Sequence, residues 1–439
     1  MKFLLLLISL FTVALSKHER KKVKYCDQRR PVFLFNGMLG STINANLNIP
    51  ATEKLPEYCP RHVSDIPLWI SSDLLNPLTR DCIPEYLTLN YNNKTQTMEN
   101  MKGVNTYYPA NTSVSGVAFL TPKDSLFSQL VRVYADIVDN LEMMGYIDTE
   151  DLQAAAFDWR FISQPDSWKK DLVNRIESTV KNSENKVVLI GHSMGGLIIH
   201  NFLESMPQKW IDTYISKVIT ISTPWAGSIK AVRALLSGDS LDLPEIILPS
   251  DFFLKAIRSF ESSYGMIPSS LNFNKKVLKI NGTKYNATAT KKLIKKLSGS
   301  ILPSFAEKLI EATEVDYKKK TKHWEHLCVF GSEKKTESQL VYSSNFTLLK
   351  IETNKEGDGT VQKESLKLCK EMGADILEIE GAGHVDILEN RKLIKKIQKS
   401  ICKTQDYKAT PMNFVEKTVR VVGKFIGALL KFVNDFLDD

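Results

Sequence analysis

Apolar residues fall along this chain in short unbroken runs and in longer helical stripes, and the two patterns take turns. The runs at residues 31–35, 187–190, 217–221 and 327–330 are strand-length. Such runs predict strands buried on both faces, as in a parallel sheet. Two further strands are expected at 154–160 and 375–379. Helical spacing of apolar positions predicts helices over 127–146, 168–180, 197–203, 362–372 and 385–401. Strand and helix in alternation imply an α/β fold, a mainly parallel sheet with helices on both faces. The alternation breaks over 229–326, a lysine-rich stretch that reads as a cap inserted over the C-terminal edge of the sheet. Two short strand-like pieces, 339–342 and 346–351, follow the run at 327–330.

One stretch adds chemistry. The run 187–190 feeds Gly191-His192-Ser193-Met194-Gly195, and helical spacing begins straight after it. This is G-x-S-x-G, a nucleophile elbow: a turn so sharp that side chains two residues either side of the serine would collide. It lifts the Ser193 hydroxyl above the sheet and aims a helix N-terminus at the reacting group. A serine nucleophile needs a base to take its proton and an acid to orient that base. On such a sheet the chain order is serine, acid, histidine, with both partners on loops after strands. Asp358, in Gly357-Asp358-Gly359, and His384, in Gly381-Ala382-Gly383-His384, meet that grammar. Other histidines fit less well. His192 is the variable elbow residue and is expected to point away from the reaction. His200 sits inside the following helix, and His323 and His326 precede the acid. Among carboxylates, Asp375 opens a strand and Asp386 follows the histidine. The oxyanion donors should be backbone amides, one from Met194 and one from the glycine-bearing loop 36–40, which follows the first strand.

The ends and the cysteines place the chain. Lys2, an apolar run over 3–15 and Ala14-Leu15-Ser16 predict a signal peptide over 1–16. Five N-x-S/T sequons, at Asn93, Asn111, Asn281, Asn286 and Asn345, mark candidate glycosylation sites outside the catalytic loops. Six cysteines, an even number, suit disulfides in the secretory pathway. None forms a C-x-x-C pair, which argues against a zinc ribbon, and the motifs call for no metal and no cofactor. The net charge of +8 suits an acidic lipid surface or simply a solvated lysine-rich exterior. It is not the dense basic footprint of a nucleic-acid binder. Between Cys59 and Cys82 lies a proline-rich apolar loop holding Leu68-Trp69-Ile70, which either packs onto the body or touches lipid. Residues 403–439 form a tail with an amphipathic stripe of about seven turns. Its apolar side either docks on the body or lies in a membrane plane.

Taken together, several stretches resemble the lecithin:cholesterol acyltransferase family, which includes a lysosomal phospholipase A2. They are residues 31–40, the Leu68-Trp69-Ile70 loop, Asp158-Trp159-Arg160, the elbow, Pro224-Trp225-Ala226-Gly227-Ser228, Ser237-Gly238-Asp239 and Gly357-Asp358-Gly359-Thr360-Val361. The resemblance runs from about residue 32 to 401. It implies an α/β-hydrolase domain over 27–402, with a lid loop at 59–82 and the cap at 229–326. It implies acyl transfer from a glycerophospholipid through an acyl-serine to a lipid alcohol or to water. Ser193, Asp358 and His384 would be catalytic, and the amides of Met38 and Met194 would bind the oxyanion. Cys59 would pair with Cys82 and Cys328 with Cys369, leaving Cys26 and Cys402 unassigned. Trp69, with Leu68 and Ile70, would face the membrane. The implied partners are a phospholipid membrane or lipid particle and a lipid acyl acceptor. The implied place is the secretory pathway, with the protein secreted or in the lysosomal lumen. A carboxylesterase of small soluble esters and a non-catalytic lipid-binding glycoprotein stand as alternatives.

Overall fold

The computed structural model describes residues 23–26, 28–70, 79–109, 112–120, 132–240, 249–402 and 406–408. The expected leader at 1–16, the sequon at Asn111 and nearly all of the 403–439 stripe lie outside them. Six strands build the central sheet: β1 (Val32–Phe35), β2 (Leu152–Ala154), β3 (Val187–His192), β4 (Ile215–Ile221), β5 (His326–Ser332) and β6 (Asp375–Glu380). Their order is β6-β5-β4-β3-β1-β2, with every pair parallel. Val187 and Leu189 pack with Phe33 and Phe35 on one face. Val188 and Ile190 pack with Val32 and Leu34 on the other. All eight are fully buried, so these strands carry no polar face.

Helices cover both faces. α2 (Asp166–Ser183) and α3 (Met194–Glu204) bury Leu172, Ile176, Leu197 and Phe202 in the first apolar layer. α1 (Ala135–Glu142) and α4 (Arg391–Ile401) bury Ile137, Leu141, Leu393 and Ile397 in the second. This is the parallel α/β architecture that the alternation predicts, and it fits the α/β-hydrolase fold that the resemblance implies. Several elements differ in extent. Of the helix expected over 127–146, residues 127–131 lie outside the described residues and the helix itself runs over Ala135–Glu142. That expected over 362–372 is α-helical over Lys363–Lys367 and ends in a 3-10 turn, Leu368–Lys370. The helix expected over 385–401 opens as a 3-10 turn, Asp386–Glu389, and restarts at α4, where the Asn390 side chain accepts the Lys392 N–H. The strand expected over 154–160 ends at Ala154. Beyond it, Arg160 is fully buried and forks onto Asp158 at 2.6 Å, with further bonds to the Leu87 carbonyl and the Asn100 side chain. That polar knot is incompatible with a strand ladder packed between apolar layers.

Two excursions sit beyond the sheet, and both are more ordered than a loop. The first pairs Ile43–Asn48 with His62–Trp69 on one side and Val104–Tyr107 on the other. The Cys59–Cys82 disulfide closes it, with 5.5 Å between the Cα atoms. The second is the cap, whose sheet runs Thr283–Asn286, Lys276–Ile280, Thr336–Tyr342 and Leu348–Asn354. The expected boundary at His326 is therefore too early. The hairpin after β5 returns to complete the cap, because Leu278 to Ile280 pair in parallel with Leu340 to Tyr342. The pieces expected over 339–342 and 346–351 are that hairpin.

The other two disulfides are Cys328–Cys369 and Cys26–Cys402. The latter fastens the chain before β1 to the end of α4. The Arg30 N–H, donating to the Ile401 carbonyl at 2.8 Å, lies beside it. A strand at Val23–Tyr25 pairs with Asp406–Lys408 just beyond.

The expectation that Leu68 and Trp69 face a membrane is overturned in this structure. Leu68 is fully buried and Trp69 is 4% exposed. Trp69 lies edge-on to Trp159 and Phe253, with ring centroids 5.7 and 6.0 Å away, and its indole N–H donates to the Leu39 carbonyl. Ile70 is half-buried against the same core. The apolar end of this strand packs on an aromatic cluster and is buried, while the residues before it stay exposed or half-buried.

Candidate active site

The sheet register gathers the site. Phe35 lies opposite Gly191, Ile221 opposite His192, and Ser332 opposite Glu380, so the strands end along one edge. Ser193 follows β3 directly, with φ +52° and ψ −125°, a conformation a serine rarely adopts. The turn is enforced by crowding. A Cβ on Gly191 would stand 2.7 Å from the Gly195 carbonyl carbon. One on Gly195 would meet the Phe35 and Asn36 carbonyl oxygens at 2.5 Å. The Ser193 N–H is held by the Ile221 carbonyl at 2.8 Å, and α3 starts at the next residue.

Asp358 returns to this edge although the cap hairpin separates it from β5. It bridges to Lys334, two residues past the end of β5. Its side chain is wholly buried. One carboxylate oxygen accepts the N–H groups of Thr360 and Val361 at 3.0 and 2.8 Å. The other is 2.8 Å from His384 Nδ1. Burial opposes its ionisation, but the His384 imidazole and the Val361 and Thr360 N–H groups outweigh that and hold the carboxyl below its ordinary value. The imidazole turns its Nε2 to Ser193 Oγ at 3.0 Å. Serine, histidine and aspartate thus form one hydrogen-bonded line at the N-terminus of α3.

Two residues set aside in the sequence hold the histidine loop. His192 does not point clear of the site. Its side chain follows Val188 and Ile190 to the same face of β3, and its Nε2–H donates to the His384 carbonyl at 2.8 Å. Asp386 accepts the Gly383 N–H. Strand period alone places His192 on that face; the sequence holds no signal for its partner. Loop 36–40 closes the other side of Ser193. A Cβ on Gly37 would lie 3.0 Å from that of Ser193, so a larger residue there would press on the elbow. Met194 is buried as the first residue of α3, and Met38 is half-buried in the turn after Gly37.

His200, His323 and His326 stand apart from this line. His200 packs among the rings of Trp225, Tyr317 and Trp324. His326 Nε2 bonds to the Thr220 hydroxyl at 2.8 Å, whereas His323 is exposed. Asn93, Asn281, Asn286 and Asn345 are exposed.

Three of these histidines make stability sensitive to acid. Burial pushes His192 down to about 3, helped by the charge of His384. Burial likewise takes His200 to about 4, against the pull of Glu204, and His326 to about 3, where Lys320 and His200 add to the effect. Each is lower folded than unfolded. Above about pH 6.5, both states are neutral and stability is flat. From there down to about pH 3–4, only the unfolded chain takes up protons, so stability falls. The slope is up to about 1.4 kcal/mol per pH unit for each histidine. Thermal unfolding from pH 7.5 to 4.5 should show the decline, and His200→Phe should make it shallower. An unchanged slope in that variant would remove His200 from the account.

Comparisons with known proteins identify the family. The sequence model for lecithin:cholesterol acyltransferase matches residues 65–322, more than half of the chain and including the elbow. The mouse phosphatidylcholine-sterol acyltransferase is 26% identical over 398 residues, covering 88% of this chain and 89% of its own. The human protein of that name is 30% identical over 281 residues, 64% of this chain and 62% of its own. The mouse lysosomal phospholipase A and acyltransferase is 26% identical, covering 88% of this chain and 92% of its own. With that family model matched over more than half of its length, the chain belongs to the lecithin:cholesterol acyltransferase family.

Proposed function

We propose that this chain is a phospholipase A and lipid O-acyltransferase acting on glycerophospholipids through an acyl group carried on Ser193. Ser193 Oγ attacks the ester carbonyl and passes its proton to His384 Nε2. Asp358 holds the Nδ1–H tautomer and stabilises the imidazolium formed. The amides of Met38 and Met194 receive the carbonyl oxygen as it becomes an oxyanion. His384 then protonates the departing lysophospholipid oxygen, leaving an ester on Ser193. Water or the hydroxyl of a lipid alcohol, deprotonated by His384, attacks that ester in turn. The first outcome is hydrolysis and the second acyl transfer, so one site serves both.

The observation that carries this reading is the Ser193–His384–Asp358 line, with contacts of 3.0 and 2.8 Å, in a member of this family. The relatives' names add the donor, a phosphatidylcholine, and the two fates, a sterol ester or a free acid. Three disulfides and four exposed sequons support an oxidising, lumenal or extracellular place of work.

The test is incubation with phosphatidylcholine vesicles, with and without sterol or a long-chain alcohol, followed by identification of the acyl products. Lysophospholipid should appear in every case, with free fatty acid or the alcohol's ester beside it. Turnover of soluble short-chain esters with none on vesicles would instead make the chain a carboxylesterase.

A further inference from the structure

Trp69 is buried, and its one polar atom is spent on a single carbonyl. The indole N–H donates to the Leu39 oxygen at 2.8 Å. Leu39 has φ +61°, a left-handed conformation that costs a leucine roughly 1–2 kcal/mol. Something must hold it there, and the bond from Trp69 is placed to do so.

The consequence reaches Met38 through two rigid planes. The Leu39 carbonyl and the Gly40 N–H belong to one planar trans peptide and point in opposite directions. Fixing the first fixes the second, and the Gly40 N–H donates to the Gly37 carbonyl at 3.1 Å. The Asn36 side-chain amide donates to the same oxygen at 2.9 Å. The Gly37 carbonyl and the Met38 N–H share the next plane in this relay. Holding the Gly37 oxygen therefore aims the Met38 N–H the other way. Beyond the turn, the Trp159 indole donates to the Ser41 carbonyl at 3.1 Å, and Trp159 packs edge-on against Trp69. Loop 36–41 is thus gripped by two packed tryptophans, one from the disulfide-closed excursion and one from the segment after β2.

We propose that Trp69 is a positioning residue for the Met38 amide, acting through its indole N–H on the Leu39 carbonyl. This rests on the reading of Met38 as an oxyanion donor. It links the Cys59–Cys82 excursion to the chemical step. Displacing the strand that carries Trp69 would loosen the oxyanion site, with Ser193, His384 and Asp358 left in place.

The test removes the N–H and keeps the ring. Trp69→Phe in the full-length secreted protein is compared with the same position filled by β-(3-benzothienyl)alanine, which matches tryptophan in shape but carries sulfur in place of N–H. The second protein keeps the packing if phenylalanine does not. On a soluble short-chain ester, kcat should fall about 10–100-fold, less than the 10²–10³-fold loss of an oxyanion donor itself. KM should stay within about twofold, as expected when only transition-state stabilisation is lost. A trifluoromethyl ketone adds Ser193 Oγ to its carbonyl carbon, the carbonyl electron pair moving to oxygen and the serine proton to His384. Its inhibition constant should rise by the same factor as kcat falls. Binding to phosphatidylcholine vesicles should not change. A loss confined to vesicles, or one carried in KM with the ketone still binding tightly, would overturn the proposal. Ser193→Ala run alongside separates the two readings. If it is inactive while both Trp69 proteins match wild type, only this inference falls; if it stays active, the proposed function falls first.

Discussion

Ser193→Ala should abolish turnover of phospholipid vesicles and of soluble esters alike, and should stop labelling by a fluorophosphonate. The expected loss is on the order of 10⁴–10⁶ in kcat. The fold should survive the change. The elbow is set by the crowding of Gly191 against Gly195 and by the Ser193 N–H bond to Ile221, and neither involves the hydroxyl. Alanine tolerates the positive φ no worse than serine does. The hydroxyl gives up one hydrogen bond, to His384, at a partly exposed position, so the stability change should stay within about 1 kcal/mol. The yield of folded protein and the thermal midpoint therefore serve as controls. A well-folded variant that retains more than about a hundredth of the activity would mean that the acyl group is not carried on Ser193.

The parts of this molecule that could be read from the sequence are those where one local rule decides. The unbroken run at 187–190 is buried on both sides because parallel neighbours and two helical layers leave no face free. Asp358 and His384 could be found because each follows a strand on a glycine-flanked loop. What could not be read depends on long-range competition. Whether Trp69 meets lipid or protein depended on Trp159 and Phe253, distant in sequence, forming an aromatic surface for it. The extent of the cap depended on a parallel pairing of 278–280 with 340–342 across β5, which no local period reveals. The disulfide between Cys26 and Cys402 joins positions 376 residues apart, and the resemblance left both cysteines without an assignment. In the sequence His192 is only the variable elbow residue. Strand period gives its direction, but its partner is a backbone carbonyl, which leaves no trace in the sequence.

His384→Ala should equal the serine variant in effect, and Asp358→Asn should come close, at about 10⁴-fold. The reason for the second lies in the tautomer. Asp358, held below its usual carboxylate value, accepts the Nδ1–H of His384 and leaves Nε2 bare toward Ser193. Asparagine at 358 would keep one oxygen for the Thr360 and Val361 N–H groups and turn its NH₂ toward Nδ1. Nδ1 must then accept, the ring proton moves to Nε2, and the base facing the hydroxyl is lost. Because the three groups act as one device, combining Ser193→Ala with either change should cost little beyond the serine change alone. Additive losses would mean that His384 or Asp358 acts independently of Ser193. The same assay on His200→Ala and His326→Ala closes the argument. His200 is enclosed by Trp225, Tyr317 and Trp324, and His326 is tied to Thr220. Both variants should therefore lose stability while the surviving folded protein keeps its kcat. If His384→Ala retained near-normal kcat and either of the other two did not, the base of this enzyme would have to be sought away from the β6 loop.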